Sequence, residues 1–167
     1  ACSLIYFTKI QMKEKMPLLG IIIVGPSVRK ELIADLGKYP DAKTLKANLD
    51  KKIIMETDIK LKGMPSLANL GAGEKETIEI SMKTGGIPVT DDHIGINYAI
   101  THGLKPKTTE ILLLDFLQEE IITFDDFTRI FENLARIKSL KPNVISFFQN
   151  EAEKMRNTKN KKINNSI

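Results

Sequence analysis

Along the 167-residue chain, apolar positions fall into short β-like runs separated by stretches of helical spacing. Ile21-Ile22-Ile23-Val24 is β-branched and bounded by glycines, which predicts a buried strand. Pro26-Ser27 then opens a helix with Val28, Leu32 and Ile33 on one face. A helical stretch from Asp41 to about Lys51 and a short strand, Lys52–Glu56, follow, and Thr57–Leu70 reads as a loop. Gly73–Thr84 predicts a helix: Ile78 and Met82 are one turn apart, Ile80 broadens that face, and Gly85-Gly86 ends it. Ile87–Thr90 is a strand containing a proline, with Asp91-Asp92 directly after it. Asp92–His102 is a helix closed by Gly103, and Thr108–Glu120 is a strongly apolar helix. Thr123-Phe124-Asp125-Asp126 resembles a capping box with Asp in place of Glu and starts a helix to about Ser139. Pro142 begins a last helix to about Met155.

Strands alternating with helices at this spacing predict an α/β fold, a central parallel sheet flanked by helices. No internal repeat marks a second unit, so residues 1–156 are expected to form one domain and 157–167 a basic disordered tail.

Charge sharpens that division. Of the 25 Lys and Arg, five (Lys154, Arg156, Lys159, Lys161 and Lys162) follow Glu153, and no acid does. Residues 1–153 therefore carry 20 bases against all 21 acids, and the net charge of +4 comes from the tail. Such a tail can touch RNA phosphates or serve as a solubilising terminus. No apolar run reaches the roughly 18 residues of a membrane span. No signal peptide is visible. A lone cysteine, Cys2, excludes an internal disulfide framework, so a cytoplasmic setting is expected. With His93 and His102 the only histidines, the chain lacks the ligands of a typical zinc site, and any metal would be held by oxygen.

The acids offer such oxygens. In a parallel α/β sheet, ligands bind beyond the carboxyl ends of the strands. Asp91 and Asp92 follow one strand, Glu31 lies on the helix after another, and Glu74 is in the first turn of the helix after Gly71-Ala72-Gly73. Acids brought together there without bases repel, and a hard divalent cation, Mg²⁺ or Mn²⁺, relieves the repulsion. Each acid also has a structural reading. Glu74 can be stabilised by the helix dipole, Asp91 can be a cap for the helix beginning near Asp92, and Glu31 can be a solvated helix residue. Gly71-Ala72-Gly73 is not a phosphate loop, because G-x-x-x-x-G-K-[ST] is missing. Phe124, Phe127, Phe131, Phe147 and Phe148 read as core or dimer packing rather than base-stacking platforms. His93 reads as a surface residue at a helix start.

LGAGEKETIEISMKTGGIPVTDDHIGINYAITHGL, Leu70–Leu104, resembles the core of the PIN (PilT N-terminus-like) family. It is most similar to the branch with L-G-x-G-E-x-E-x-I followed by a T/I-D-D turn, and the family includes VapC-type toxin ribonucleases. VGPSVRKEL, Val24–Leu32, matches the family's stretch ending in V-x-x-E-[LIV]. Thr108–Leu113 and Glu119–Ile122 follow the branch's G-T-x-G-I-L…G-L-I helix, with Lys107, Glu110 and Glu120 in place of its glycines. The resemblance covers about residues 1–140 and implies a three-layer sandwich and a ribonuclease. Residue by residue it implies that Glu31, Glu74 and Asp92 are the second, third and fourth acids of a site for Mg²⁺ or Mn²⁺. Asp91 is the extra acid of the branch, and Thr90 supports the cluster by hydrogen bonding. The family's first acid ends a strand in D-[ST]-[SN]-x-L-I; Ala1-Cys2-Ser3-Leu4-Ile5 resembles that motif without its Asp. The natural chain is therefore expected to continue N-terminally with an apolar strand ending in Asp. Without that strand, a large apolar face should be exposed.

The implied function is a metal-dependent endoribonuclease, either free-standing or a toxin held by an antitoxin protein, with RNA as substrate and a homodimer through the C-terminal helices. The alternative is a catalytically inactive PIN-like module that binds nucleic acid or another protein.

Overall fold

The computed structural model describes residues 1–34, 36–37, 40–57, 59 and 70–164, with the side chains of 159–164 left out. Most of the predicted loop Thr57–Leu70, and the last three residues of the predicted tail, lie outside the described residues. In order, the elements are α1 (Cys2–Lys9), a 3-10 helix (Lys13–Leu18), β1 (Ile23–Val24), α2 (Pro26–Leu32), α3 (Pro40–Asp50), β2 (Met55–Glu56), α4 (Ala72–Thr84), α5 (His93–Thr101), α6 (Thr109–Gln118), α7 (Phe124–Lys138) and α8 (Pro142–Asn164). Among the described residues the chain is mostly helical with a small parallel two-stranded sheet, an arrangement compatible with the expected α/β class. It divides into two compact units, Ala1–Thr109 and Glu110–Ile167, where the sequence pattern suggests one domain over 1–156. No described helix is long and apolar enough to cross a membrane.

In the first unit, β1 and β2 pair in parallel, Ile23 opposite Met55 and Val24 opposite Glu56. Only part of the predicted strand Lys52–Glu56 is strand, for a local reason. Lys52 takes a left-handed φ of 55°, and the amides of Ile53 and Ile54 both donate back to the Asn48 carbonyl. Those residues finish α3 rather than extend the sheet. The run Ile21–Val24 is not buried throughout. Val24 is covered, whereas Ile21, Ile23 and Met55 are exposed, because β1 has one strand neighbour among the described residues and one face packed. At Ile87–Thr90, ladder pairing is confined to a parallel bridge between Val89 and Lys107, with Thr90 N donating to Lys107 O and Lys107 N to Pro88 O. Pro88 has no N–H to extend it.

The helices follow their signals more closely. Gly85 ends α4 at φ 70°, a left-handed conformation that a side chain would strain. α2 packs on α4, α4 on α5, and α1 on α3. The sequence pattern gives no element ahead of Ile21, yet α1 forms there and buries Leu4 and Phe7. Ile78, Leu70 and Ala99 make one apolar cluster, closed by Tyr98 and Leu104.

In the second unit, α7 packs on α8. Phe127 and Phe131 stack with ring centroids 5.4 Å apart, and Phe148 leans on Phe131. All three are buried, in agreement with packing roles, while Phe147 is exposed. Arg156 lies over the Phe124 ring at 4.3 Å, a cation–π contact. α8 continues to Asn164, past the Met155 expected from the pattern.

Candidate functional site

A cleft of about 200 Å³ opens in the first unit between the start of α1, the start of α4 and the turn into α5. Glu74, Asp91, Asp92, Thr90, Gly73 and Ser3 are among its lining residues. The sequence places four of these in the site: Glu74, Thr90, Asp91 and Asp92. Glu31 is not in the lining; its carboxylate lies just behind it, against Gly73.

Each acid is held differently. Glu74 is in the first turn of α4, whose N-terminal dipole favours a carboxylate. Its side chain folds back over Gly71, so that a Cβ built there would stand 2.3 Å from Oε2. Asp92 is the N-cap of α5, where its Oδ1 accepts from Gly95 N at 2.7 Å. Gly95 neighbours both acids. A Cβ on it would lie 3.4 Å from Glu74 Cγ and 3.3 Å from Thr90 Oγ1, while its N–H holds Asp92. Thr90 Oγ1 accepts from Asp92 N at 3.2 Å and so braces the turn that carries both aspartates.

Asp91 is the most heavily engaged of the four. Its Oδ1 accepts from Thr109 N at 2.9 Å. Its Oδ2 accepts from Ser3 Oγ at 2.7 Å and from Thr109 Oγ1 at 2.5 Å. The side chain therefore ties Ser3, at the start of α1, to Thr109, whereas the helix that begins near Asp92 is capped by Asp92 itself and not, as its structural reading has it, by Asp91. Ser3 and Thr109 are partners that the sequence reading does not single out; Thr108-Thr109 before an apolar run is the signal that could have located the second.

A further missed residue is Glu76. It is buried, and its Oε2 accepts from Ser27 N at 2.8 Å and Val28 N at 3.3 Å, capping α2 from α4. The signal was indirect: α2 begins at Gly25-Pro26, with no capping side chain of its own.

Whether these residues suit a divalent cation follows from their donors. Among the described residues no three His, Cys, Asp or Glu side chains group closely enough to hold an ion. Glu74 and Asp92 share one cleft and one glycine neighbour, and all their donors are oxygen. Such all-oxygen donors suit a hard divalent cation that keeps several of its waters.

A family model described as a PIN domain matches residues 1–153. No curated protein and no solved structure matches the chain.

Proposed function

The chain belongs to the PIN-domain family, a nuclease-type fold whose members typically use divalent metal ions, and from that premise we propose that it is a Mg²⁺- or Mn²⁺-dependent endoribonuclease. The observation that carries this reading is the pairing of Glu74 and Asp92 about Gly95 in one cleft.

In this reading Glu74 and Asp92 hold the ion, with Glu31 at the edge of the site behind Gly73. A hard divalent cation, when bound, supplies Lewis acidity that activates water and offsets charge on a phosphodiester. Asp91, with both oxygens engaged, fixes the turn, and Thr90 orients the Asp92 backbone. Parallel pairing at β1–β2 and at Val89–Lys107 supports the family's three-layer sandwich. RNA is the proposed substrate, the cytoplasm the proposed location, and an antitoxin protein and a second copy of the chain the proposed partners.

Asp92→Asn tests the chemistry without confounding it with folding. Asn caps a helix about as well as Asp, so α5 should survive while the charge is lost. Mn²⁺ affinity measured by calorimetry should fall about tenfold or more, as expected for a change at the metal's immediate support. Mn²⁺-dependent cleavage of RNA should fall with it. Unchanged binding and cleavage would remove Asp92 from the site.

The full engagement of Asp91 and the absence of a three-ligand group among the described residues favour a second reading, a PIN-like module that binds nucleic acid or a protein without cutting. RNA binding that persists in EDTA, with no cleavage at any Mn²⁺ concentration, is its signature.

A further inference from the structure

Glu76 has no part in the cleft, yet only 8% of it is exposed to solvent. A buried carboxylate needs partners, and this one finds them 49 and 48 residues away, at Ser27 N and Val28 N. These are among the first amides of α2, which helix geometry leaves without intrahelical acceptors. Gly25, the N-cap of α2, has no side chain to satisfy them. Its lack of a Cβ is also what admits Glu76: a Cβ there would stand 2.2 Å from Glu76 Cδ and 2.3 Å from Oε2.

The same two helices meet at a second point. A Cβ on Gly73 of α4 would lie 3.3 Å from Val28 Cγ2 and 2.9 Å from Glu31 Oε1. α2 is therefore pinned to α4 at its start by Glu76 and laid across Gly73 further along. That crossing brings Glu31 against Gly73, the residue before Glu74 in the chain.

We propose that Glu76 is a positioning residue for the cation site: by capping α2 it fixes Glu31 against Gly73, at the edge of the cleft. This rests on the reading of Glu74 and Asp92 as cation-holding acids with Glu31 at the edge of their site. Glu76 itself does not touch the ion.

The test is Mn²⁺ calorimetry on the full chain and four single variants, Glu31→Gln, Glu76→Ala, Glu76→Gln and Gly25→Ala, with Glu31→Gln/Glu76→Ala as the double variant. Thermal unfolding of each monitors folding. Glu31→Gln should weaken binding about tenfold, and Glu76→Ala should do the same by releasing α2. Glu76→Gln should recover most of the loss, because its amide oxygen still accepts from Ser27 and Val28. Gly25→Ala should reproduce the loss, since its methyl pushes the Glu76 carboxylate off the two amides; it carries the test if Glu76→Ala fails to fold. In the Glu31→Gln background, Glu76→Ala should cost no further affinity, a coupling that general destabilisation would not produce. A folded Glu76→Ala with native affinity, or losses that add in full in the double variant, would overturn the proposal. Native affinity in Glu31→Gln would overturn it too, by removing the residue Glu76 acts through. No Mn²⁺ binding by the unmodified chain would instead bring down the cation reading beneath it.

Discussion

Glu120 stands where the branch it resembles carries a glycine, and the backbone shows why a glycine suits the position. Just after α6, Glu120 has φ 58°, in the left-handed region where a Cβ crowds the following carbonyl. Glu120→Gly should remove that strain while adding freedom to the unfolded chain, for a net gain of about 0.5–1 kcal/mol. Scanning calorimetry should show the melting temperature raised by roughly 2 °C; a lower one would mean that contacts of the Glu120 side chain outweigh the strain. Glu110, also in place of a family glycine, is handled differently. It is 4% exposed, in the first turn of α6, and ion-paired to Lys138 of α7. Removing one partner of a buried pair leaves a stranded charge, so Lys138→Met should cost about 3 kcal/mol in urea unfolding. Replacing both by apolar residues should cost far less, and equal losses would show that the pair is not the source of the effect.

At the scale of elements, helix ends with side-chain caps were legible. Thr123 Oγ1 accepts from Asp126 N at 3.1 Å and donates to Asp126 Oδ2 at 2.9 Å, the reciprocal pair that T-F-D-D suggests. The Thr123 hydroxyl, and Arg129 after it, hold the Asp126 carboxyl below the usual range. A lowered folded-state pKa contributes stability that is whole above the unfolded value, near pH 4, and is lost as pH falls through the folded one. Thr123→Ala should cost about 1 kcal/mol at pH 7 through the N-cap lost from the α7 backbone. Its deficit relative to the native chain should narrow in urea titrations run below about pH 4. A deficit constant down to pH 2 would separate Asp126 from the cap. Strands were less legible than caps. Ile53 and Ile54 have the composition of a strand, but their amides are drawn back to Asn48, a choice made by chain reversal that periodicity does not encode. α1 was missed because its residues were read as a motif, not a pattern. That Glu74, Asp91 and Asp92 line one cleft could be anticipated because Glu74 follows the Gly71-Ala72-Gly73 turn and the two aspartates follow the Ile87–Thr90 run. Glu76 was not, since its partners lie 49 and 48 residues away and only the packing of α2 on α4 joins them.

For the molecule as a whole, net charge limits how RNA could be held. Residues 1–153 carry one more acid than bases, so long-range attraction to a polyanion cannot come from their sum. The bases that exceed the acids all lie after Glu153, on the last turns of α8. Two of them already have protein partners: Lys154 pairs with Glu151, and Arg156 pairs with Glu153 and covers Phe124. Lys159, Lys161 and Lys162 are the further bases of that segment. Each phosphate neutralised on single-stranded RNA contributes about 0.7 to the slope of log affinity against log salt. Changing these three lysines to Gln, which keeps helix propensity, should lower the slope by about 2 and weaken binding without altering Mn²⁺ affinity. An unchanged slope would assign the phosphate contacts to local bases of the body, with Lys30 and Lys75, neighbours in sequence of Glu31 and Glu74, the first to replace. A fall in Mn²⁺ affinity would mean that the tail and the acidic cleft act on one another, and that holding the substrate and holding the ion are not separable in this chain.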